Sequence, residues 1–230
     1  MIRFCAIIFI LIGFSVYLKA QNHNLVLQFN PKFHQEIVQF DEEYYSITEK
    51  DSVQFDIFRC YISNIQLLKN GKSVYKEKDS YHLLSFGENP KNEIKIPIDI
   101  AFDQIEMQIG IDSLTNVSGA FGGALDPTNG MYWTWQNGYI NFKLEGKSTL
   151  CNTRNHEFQY HIGGYQFPFS TIQTLKFHTS NPSISIDILL DKFMENLNLS
   201  TTNHIMSPST NAVEIAKSFA NSFILETNEK

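Results

Sequence analysis

One stretch, residues 119–146, constrains the fold of this chain most, because it combines turn-forming residues with large aromatic side chains. Residues 126–130, with the sequence DPTNG, predict a turn, since proline presets its own φ and asparagine and glycine tolerate positive φ. Trp133 and Trp135 follow, and on an extended strand two residues at this spacing point to the same face. Asn137-Gly138 then predicts a two-residue hairpin turn. The stretch therefore indicates a tryptophan-bearing β-hairpin that is entered through a glycine-rich loop.

Short apolar segments separated by turn residues make up most of the remaining chain. The predicted strands outside the hairpin cover residues 25–30, 52–67, 81–86, 91–99, 102–111, 157–162, 175–178 and 183–190. Residues 210–223 have apolar side chains at helical spacing, and Ser209 or Thr210 would cap that helix. Because strands and helices do not alternate, the sequence predicts a mainly β fold. The arrangement we expect is a single-domain β-sandwich with a C-terminal amphipathic helix, and a barrel is the second choice.

Single residues refine these boundaries. Pro31 is expected to end the first strand, and Pro97 is expected to lie in an edge strand, because proline has no N–H to donate to a neighbour. Asn70-Gly71 predicts a hairpin turn. Asp112 or Ser113 would cap one short helical turn.

The N-terminal residues have the pattern of a secretory signal peptide, with Arg3 at the start, an apolar run over residues 6–16 and a small residue, Ala20, at the end. The predicted domains are therefore a signal peptide at residues 1–20 and one β-sandwich domain at residues 21–230. An uncleaved membrane helix is the alternative, but the apolar run is short for a span. The expected location is periplasmic or secreted, with no membrane anchor after cleavage.

Two cysteines, Cys60 and Cys151, lie outside the predicted signal peptide. In an exported protein such a pair can form one disulfide, and two buried thiols are the equally weighted alternative. Metal binding by either thiolate is less favoured, since neither cysteine has a close Cys or His partner at zinc-type spacing.

The composition argues against several functions. The formal net charge is -6 and no basic block occurs, so nucleic acid is not an expected partner. The common catalytic motifs of hydrolases, zinc proteases and nucleotide-binding proteins are missing from the sequence. The chain is therefore predicted to be a binding protein and not an enzyme.

Histidine and methionine side chains are the remaining candidates for chemistry. His82 and His161 each lie inside a predicted strand, whereas His204 and Met206 are spaced to share one face of an extended segment. Imidazole suits copper and zinc, and a thioether favours Cu(I). For any one of these histidines, a hydrogen-bonded core position or a plain surface position is the commoner outcome.

The two tryptophans have two further interpretations. Together with Tyr132 and Tyr139, Trp133 and Trp135 form a predicted aromatic ledge. Packing in the sandwich core is the commonest role of such residues. Partly exposed indoles also stack on sugars and anchor protein interfaces, so a secreted glycan- or protein-binding module is the alternative function.

The segment GMYWTWQNGYINFKLEG, residues 130–146, resembles the MbnP-like family of periplasmic copper-binding proteins, which are encoded beside methanobactin and diheme-peroxidase genes. Shorter matches extend this resemblance over most of the chain after the signal peptide: residues 61–64 (YISN), 81–83 (YHL), 161–164 (HIGG) and 203–207 (NHIMS). The resemblance implies an exported protein with copper as its cofactor and a role in copper homeostasis. It favours His161 as a ligand first, then His82 and His204, with Met206 as a soft partner.

The resemblance also implies a modification and a partner. In this family one tryptophan is oxidised to kynurenine and takes part in copper binding, which implies Trp133 or Trp135 in this chain. The family's proposed oxidant is a diheme MauG-like cytochrome c peroxidase, so such an enzyme is the expected maturation partner.

Overall fold

Two β-sheets pack face to face around a shared apolar core in the computed structural model, which describes residues 24–226. The strands are β1 (Asn24–Phe33), β2 (Glu36–Ile37), β3 (Tyr44–Ser46), β4 (Ser52–Lys69), β5 (Lys72–Lys76), β6 (Tyr81–Phe86), β7 (Glu93–Pro97), β8 (Gln104–Ile109), β9 (Tyr132–Trp133), β10 (Gly138–Ser148), β11 (Glu157–Gly163), β12 (Gln173–His178), β13 (Ser183–Leu189), β14 (His204–Ile205) and β15 (Phe223–Leu225). The helices are α1 (Ser113–Ser118), α2 (Leu190–Glu195) and α3 (Thr210–Ala220). None of the helices in the described range has the length and apolar content that a membrane crossing requires. The predicted signal peptide, residues 1–20, lies outside the described residues.

The larger sheet has the order β12-β8-β4-β10-β11-β14, with β3, β5 and β6 also paired with β4 and β9 paired with β10. The smaller sheet has the order β15-β13-β1-β2, and β7 also pairs with β1. Most pairs are antiparallel, but β1 runs parallel to β13 and β11 runs parallel to β14. We call the face of the larger sheet that is turned toward the smaller sheet the inner face, and the opposite face the outer face.

Alternating apolar residues build the core between the two sheets, because successive side chains of a strand point to opposite faces. Along β1 the buried residues include Leu25, Leu27 and Phe29, and along β4 they include Phe58 and Cys60. All five belong to one continuous cluster to which both sheets contribute. The predicted β-sandwich class is therefore confirmed.

Helix α3 packs onto this core near the C-terminus. Ser209 caps it as predicted, since its side chain accepts a hydrogen bond from the backbone N–H of Ala212. Phe219 points inward and stacks on Phe142 of β10, with ring centroids 4.0 Å apart. The predicted amphipathic helix is confirmed, but it ends at Ala220 and the next residues form β15 instead of its last turn.

A second apolar cluster lies on the outer face, where the chain between β8 and β10 folds back over the larger sheet. Its members are Tyr61, Ile111, Leu125, Met131, Trp133, Tyr139 and Ile140. The turn predicted at residues 126–130 is present, because the Asp126 side chain accepts a hydrogen bond from the Thr128 N–H and Gly130 has a φ of 69°. This cluster fixes the tryptophan segment against the sheet.

Other local predictions are confirmed. Asn70 and Gly71 both have positive φ, 50° and 73°, in the turn between β4 and β5. Pro97 ends β7, which pairs only with β1 in the described structure and is therefore an edge strand. Asp112 caps α1 by accepting a hydrogen bond from the Thr115 N–H.

Two boundary predictions are wrong. Pro31 lies inside β1, between the residues that pair with β7 and those that pair with β2, so its missing N–H breaks no ladder hydrogen bond. In the tryptophan hairpin Trp133 pairs with Gly138, which leaves a four-residue loop at residues 134–137. Trp135 therefore lies in the loop and does not share a strand face with Trp133.

Candidate metal site

The outer face of the larger sheet carries a row of polar side chains. Antiparallel pairing places Arg59 of β4 beside Lys143 of β10, and Lys143 beside His161 of β11. Their sequence neighbours alternate into the apolar core, which directs these three side chains outward. Residues from distant parts of the chain therefore meet on one surface, with Lys143 between Arg59 and His161.

Strand β14 extends this row with the predicted soft donors. It pairs in parallel with β11, with His204 beside Gln159. Met206 comes directly after β14, at the end of this pairing. Ile205 is buried in the core, so its neighbours His204 and Met206 point to the outer face. His161 and His204 therefore lie on the same face of neighbouring strands, and Met206 follows His204 at the same edge of the sheet.

His161 is the buried member of this group and is held by a carboxylate. Its Nε2 lies 2.5 Å from Oε1 of Glu145 on the neighbouring strand. The hydrogen bond from His161 is the main reason why the pKa of Glu145 is lowered, and it outweighs the opposing effect of burial. A carboxylate that binds one ring nitrogen and orients the imidazole is the usual support of a metal-ligating histidine. With Nε2 engaged, Nδ1 is the atom that His161 can offer to a metal.

Trp133 packs on the same surface. An added Cβ at Gly163 would approach Cζ3 of Trp133 to 2.8 Å, so the indole lies directly over this glycine. Gly163 is two residues after His161 in β11 and shares its face. Trp133 is buried, whereas Trp135 is 65% exposed, and their ring centroids are 5.6 Å apart. Trp133 therefore packs on β11 two residues from His161, and Trp135 lies against it at the surface.

Comparison with known proteins decides the family. A profile of the MbnP family matches residues 22–207. The chain belongs to the MbnP family. A solved structure, MbnP from Methylosinus trichosporium, aligns with a TM-score of 0.61 at 14% identity and covers 83% of this chain and 86% of that chain. At that identity the match shows the shared fold and nothing finer. No curated protein matches the chain.

In this MbnP-family chain His82 is separate from the other predicted ligands. It pairs with Ile62 of β4, an inner-face residue, and so alternates to the other side of the sheet from His161. Strands β4 and β10 also lie between the two histidines. The Nε2 atom of His82 lies 2.8 Å from Oε2 of Glu77. The structure therefore does not bring His82 together with His161, His204 and Met206.

The two cysteines are free, buried thiols, which is the second of the two alternatives that the sequence left open. Val53 of β4 pairs with Ser148, whose carbonyl accepts a hydrogen bond from the Cys151 N–H. Cys60 lies seven residues further along β4 from Val53. At about 3.3 Å per residue this register separates the two cysteines by roughly 20 Å. Bridged cysteines need Cα atoms within about 7 Å. Burial raises the pKa of both thiols, which disfavours the thiolate form that binds metals.

The donor set fits copper better than it fits zinc. Within residues 24–226, no three His, Cys, Asp or Glu side chains converge as a metal site of those residue types would require. His161, His204 and Met206, which belong to one edge of the sheet, combine imidazoles with a thioether, and such donors suit Cu(I). The residues of this chain are therefore of the right type for copper.

The sequence analysis missed Glu145, Lys143 and Arg59. Glu145 and Lys143 alternate with buried Phe142 and Leu144 in β10, a pattern that predicts an outward-facing charged pair. That pattern does not reveal that β11 places a histidine beside them. Burial lowers the pKa of Lys143, whose Nζ lies 3.8 Å from Oε1 of Glu145.

Glu145→Gln should flatten the acid side of the pH–stability profile. The pKa of Glu145 is lowered in the folded state, so this contact stabilises the fold above the ordinary glutamate pKa of about 4.3. Its contribution is lost as the pH falls through the lowered folded value. We expect the wild type to be more stable than Glu145→Gln at neutral pH and the difference to shrink below about pH 4.3. Urea unfolding across pH measures this, with the exposed Glu195→Gln as control, and a constant difference at every pH would contradict it.

Proposed function

We propose that this MbnP-family chain is an exported copper-binding protein with a role in copper homeostasis, and that it acts by binding and not by catalysis. The observation that carries the proposal is the pairing of β14 with β11, which puts His204 beside Gln159 on the same face as His161, with Met206 directly after the strand. Glu145 supports the proposal because it holds His161 in one orientation. In this proposal His161, His204 and Met206 hold the metal.

The charges around His161 favour a monovalent ion. Arg59 and Lys143 are both cationic and lie in the same row, and Glu145 is the carboxylate that they share with His161. A nearby positive charge costs a divalent ion about twice as much as a monovalent one, because Coulomb energy scales with charge. Thioether ligation has the same preference. We therefore propose Cu(I) as the bound form.

We further propose that one tryptophan is oxidised to kynurenine, by analogy with the family. Trp133 is favoured as the metal-facing residue, because its indole lies over Gly163 next to His161. Trp135 is favoured as the residue that an external oxidant reaches first, because it is 65% exposed. Kynurenine differs from tryptophan by the loss of one carbon and the gain of one oxygen. Peptide mass spectrometry of protein isolated from its native host would therefore identify which residue is modified.

A diheme MauG-like cytochrome c peroxidase is the maturation partner in this proposal. Exposed apolar side chains occur in the hairpin loop at residues 134–137 and in two neighbouring segments, residues 113–121 and 164–170: Leu114, Val117, Phe121, Trp135, Phe167 and Phe169. The hydrogen bond from Ser113 Oγ to the Tyr165 carbonyl ties α1 to the loop at residues 164–170. Clustered exposed apolar residues of this kind mark interaction sites. We propose this rim as the surface on which the peroxidase docks.

His161→Ala should abolish stoichiometric copper retention, because it removes the buried imidazole of the proposed site. Anaerobic Cu(I) titration against a chromophoric chelator measures the binding. His178→Ala is the matched control, since that histidine is exposed on β12 at the far edge of the sheet. His82→Ala should also retain copper, because His82 bonds to Glu77 away from the row. Equal copper retention by the wild type and by His161→Ala would contradict the proposal.

The second candidate function is glycan or protein binding by the same aromatic surface. It is favoured by Trp135 and by Phe167, which is 97% exposed beside a cavity of about 390 Å³ lined by aromatic side chains. Exposed aromatic rings bind sugars and protein partners by stacking. If the protein takes up no copper but binds a glycan array in a way that Phe167→Ala abolishes, this second function replaces the first.

A further inference from the structure

A cleft of about 840 Å³ runs along one edge of strand β6. Residues 81–85 of β6 form one wall and residues 89–94, which lead into β7, form the other. The turn at residues 123–129 closes the top, and Arg59 lies in the lining. A concave site of this volume is within the range of known ligand sites. We call it the β6 cleft.

The edge of β6 that faces the cleft has an unpaired backbone position. Strand β6 pairs with β4 on its other edge. Ser85 turns its backbone away from β4, since its N–H donates to the Lys91 carbonyl at 3.1 Å and its carbonyl accepts from the Lys91 N–H at 2.7 Å. Backbone direction alternates along a strand, so Leu83 turns its N–H and C=O the same way. Within the described residues no backbone group pairs with Leu83 on this side, and such an edge accepts another strand.

Arg59 supplies a positive charge in the same cleft. It is half-buried, and its Nη1 donates to the Asn129 carbonyl at 2.6 Å. No Asp or Glu in residues 24–226 forms an ion pair with it. A guanidinium has five donors in a fork that matches a carboxylate, so most of its donors are left for a ligand. Glu93, the carboxylate in the lining, is already held by Lys95 at 2.6 Å.

From this juxtaposition we propose that the β6 cleft binds an extended peptide segment that carries a carboxylate. One residue of the peptide exchanges two backbone hydrogen bonds with Leu83, which adds a strand to the larger sheet. Arg59 receives the carboxylate, and Lys91 adds a second positive charge at the wall of the cleft. The carboxylate is either the C-terminus of the peptide or an acidic side chain. Neither Leu83 nor Arg59 is a ligand in the copper site, so this proposal does not depend on copper binding.

Changes to the peptide test the proposal without altering the fold. The probes are fluorescein-labelled pentapeptides of alternating valine and threonine, and fluorescence anisotropy measures their binding. One ends in a free carboxylate, a second ends in an amide, and a third ends in an amide but has aspartate as its last residue. We expect the amide peptide without aspartate to bind about tenfold more weakly than whichever carboxylate-bearing peptide binds more tightly, because a charge-assisted hydrogen bond is lost. The tighter-binding of the two carboxylate-bearing peptides identifies the source of the carboxylate. N-methylation of the central peptide bonds should abolish binding, because it removes the N–H that would bond to Leu83.

Changes to the protein test the two contacts separately. Arg59→Gln should weaken binding of the carboxylate peptide about tenfold and leave the affinity for the amide peptide unchanged. A general structural effect would weaken the binding of both peptides. Lys176→Gln is the charge-matched control, since Lys176 lies on β12 and pairs with Glu106. Hydrogen exchange should show that the bound peptide slows exchange of the Leu83 amide.

Three outcomes would each overturn the proposal. The first is that no probe peptide binds at millimolar concentration. The second is that the free-carboxylate, aspartate and amide peptides bind equally. The third is that binding leaves the Leu83 amide exchange rate unchanged. Copper titration of the same wild-type sample distinguishes these results from a failure of the copper proposal, because the protein can retain copper whether or not a peptide binds in the β6 cleft.

Discussion

Phe219→Ala should lower the free energy of unfolding by about 3–5 kcal/mol. Phe219 is fully buried, and its ring stacks on Phe142 of β10. The same ring packs edge-on against Phe58, Phe193 and Phe223, at centroid distances of 5.8, 5.3 and 5.1 Å. It therefore joins α3 to the larger sheet, to α2 and to β15. Alanine would leave a cavity among rings that are fixed by both sheets, and urea unfolding followed by circular dichroism measures the loss.

Phe167→Ala is the matched control, because the same side chain is removed from a position that is 97% exposed. It should change the free energy of unfolding by less than about 0.5 kcal/mol. Similar losses for Phe219→Ala and Phe167→Ala would show that α3 is not held by the aromatic cluster. The same Phe167→Ala sample also serves the test of glycan or partner binding.

Local structure could be predicted well from the sequence where a few adjacent residues determine it. The cap at Ser209, the turn at Asn70 and Gly71 and the edge position of Pro97 each follow from backbone chemistry within one turn. Pro31 shows the limit of that reasoning. Its effect depends on which neighbouring strands lie beside it, and those strands come from other parts of the chain.

The candidate site could be predicted only as separate residues. His161, His204 and Met206 were selected for their side-chain chemistry, but their proximity results from β14, a two-residue strand that pairs in parallel with β11. A strand that short has no periodicity to detect. The partner of His161, Glu145, comes from a third segment through the register of β10 and β11. Only tertiary structure shows that His82 faces the other way.

The tryptophans show how a shift in register changes an interpretation. A two-residue turn at Asn137 and Gly138 would have kept Trp133 and Trp135 on one strand. The hairpin closes instead with Gly138 paired to Trp133, so Trp135 moves into the loop. The rings still lie 5.6 Å apart, but one is buried and the other is exposed. Trp133 can therefore contact the surface of the sheet, whereas Trp135 can contact solvent or a partner. The spacing of the two residues did not indicate this difference.

Gly163→Ala should lower the free energy of unfolding by about 2–3 kcal/mol and weaken copper retention. An added Cβ would lie 2.5 Å from the Tyr139 carbonyl oxygen and 2.8 Å from Cζ3 of Trp133. Both contacts are too short, so the β10 backbone at Tyr139 and the indole of Trp133 must each shift away from the new methyl group. If Trp133 helps to form the copper site beside His161, this shift changes the site as well as the packing. Urea unfolding and Cu(I) titration measure the two effects.

Gly122→Ala is the matched control for Gly163→Ala. A Cβ at Gly122 would meet nothing within 4 Å, and its φ of -93° suits alanine, so neither stability nor copper binding should fall. Both variants are best made with Trp135→Phe, which leaves Trp133 as the fluorophore of the tryptophan pair. Gly163→Ala should then shift the emission maximum to the red, because a buried indole becomes more exposed to water. An unchanged emission maximum together with unchanged stability would mean that Trp133 does not rest on Gly163, and the link between the tryptophan and the copper site would be lost.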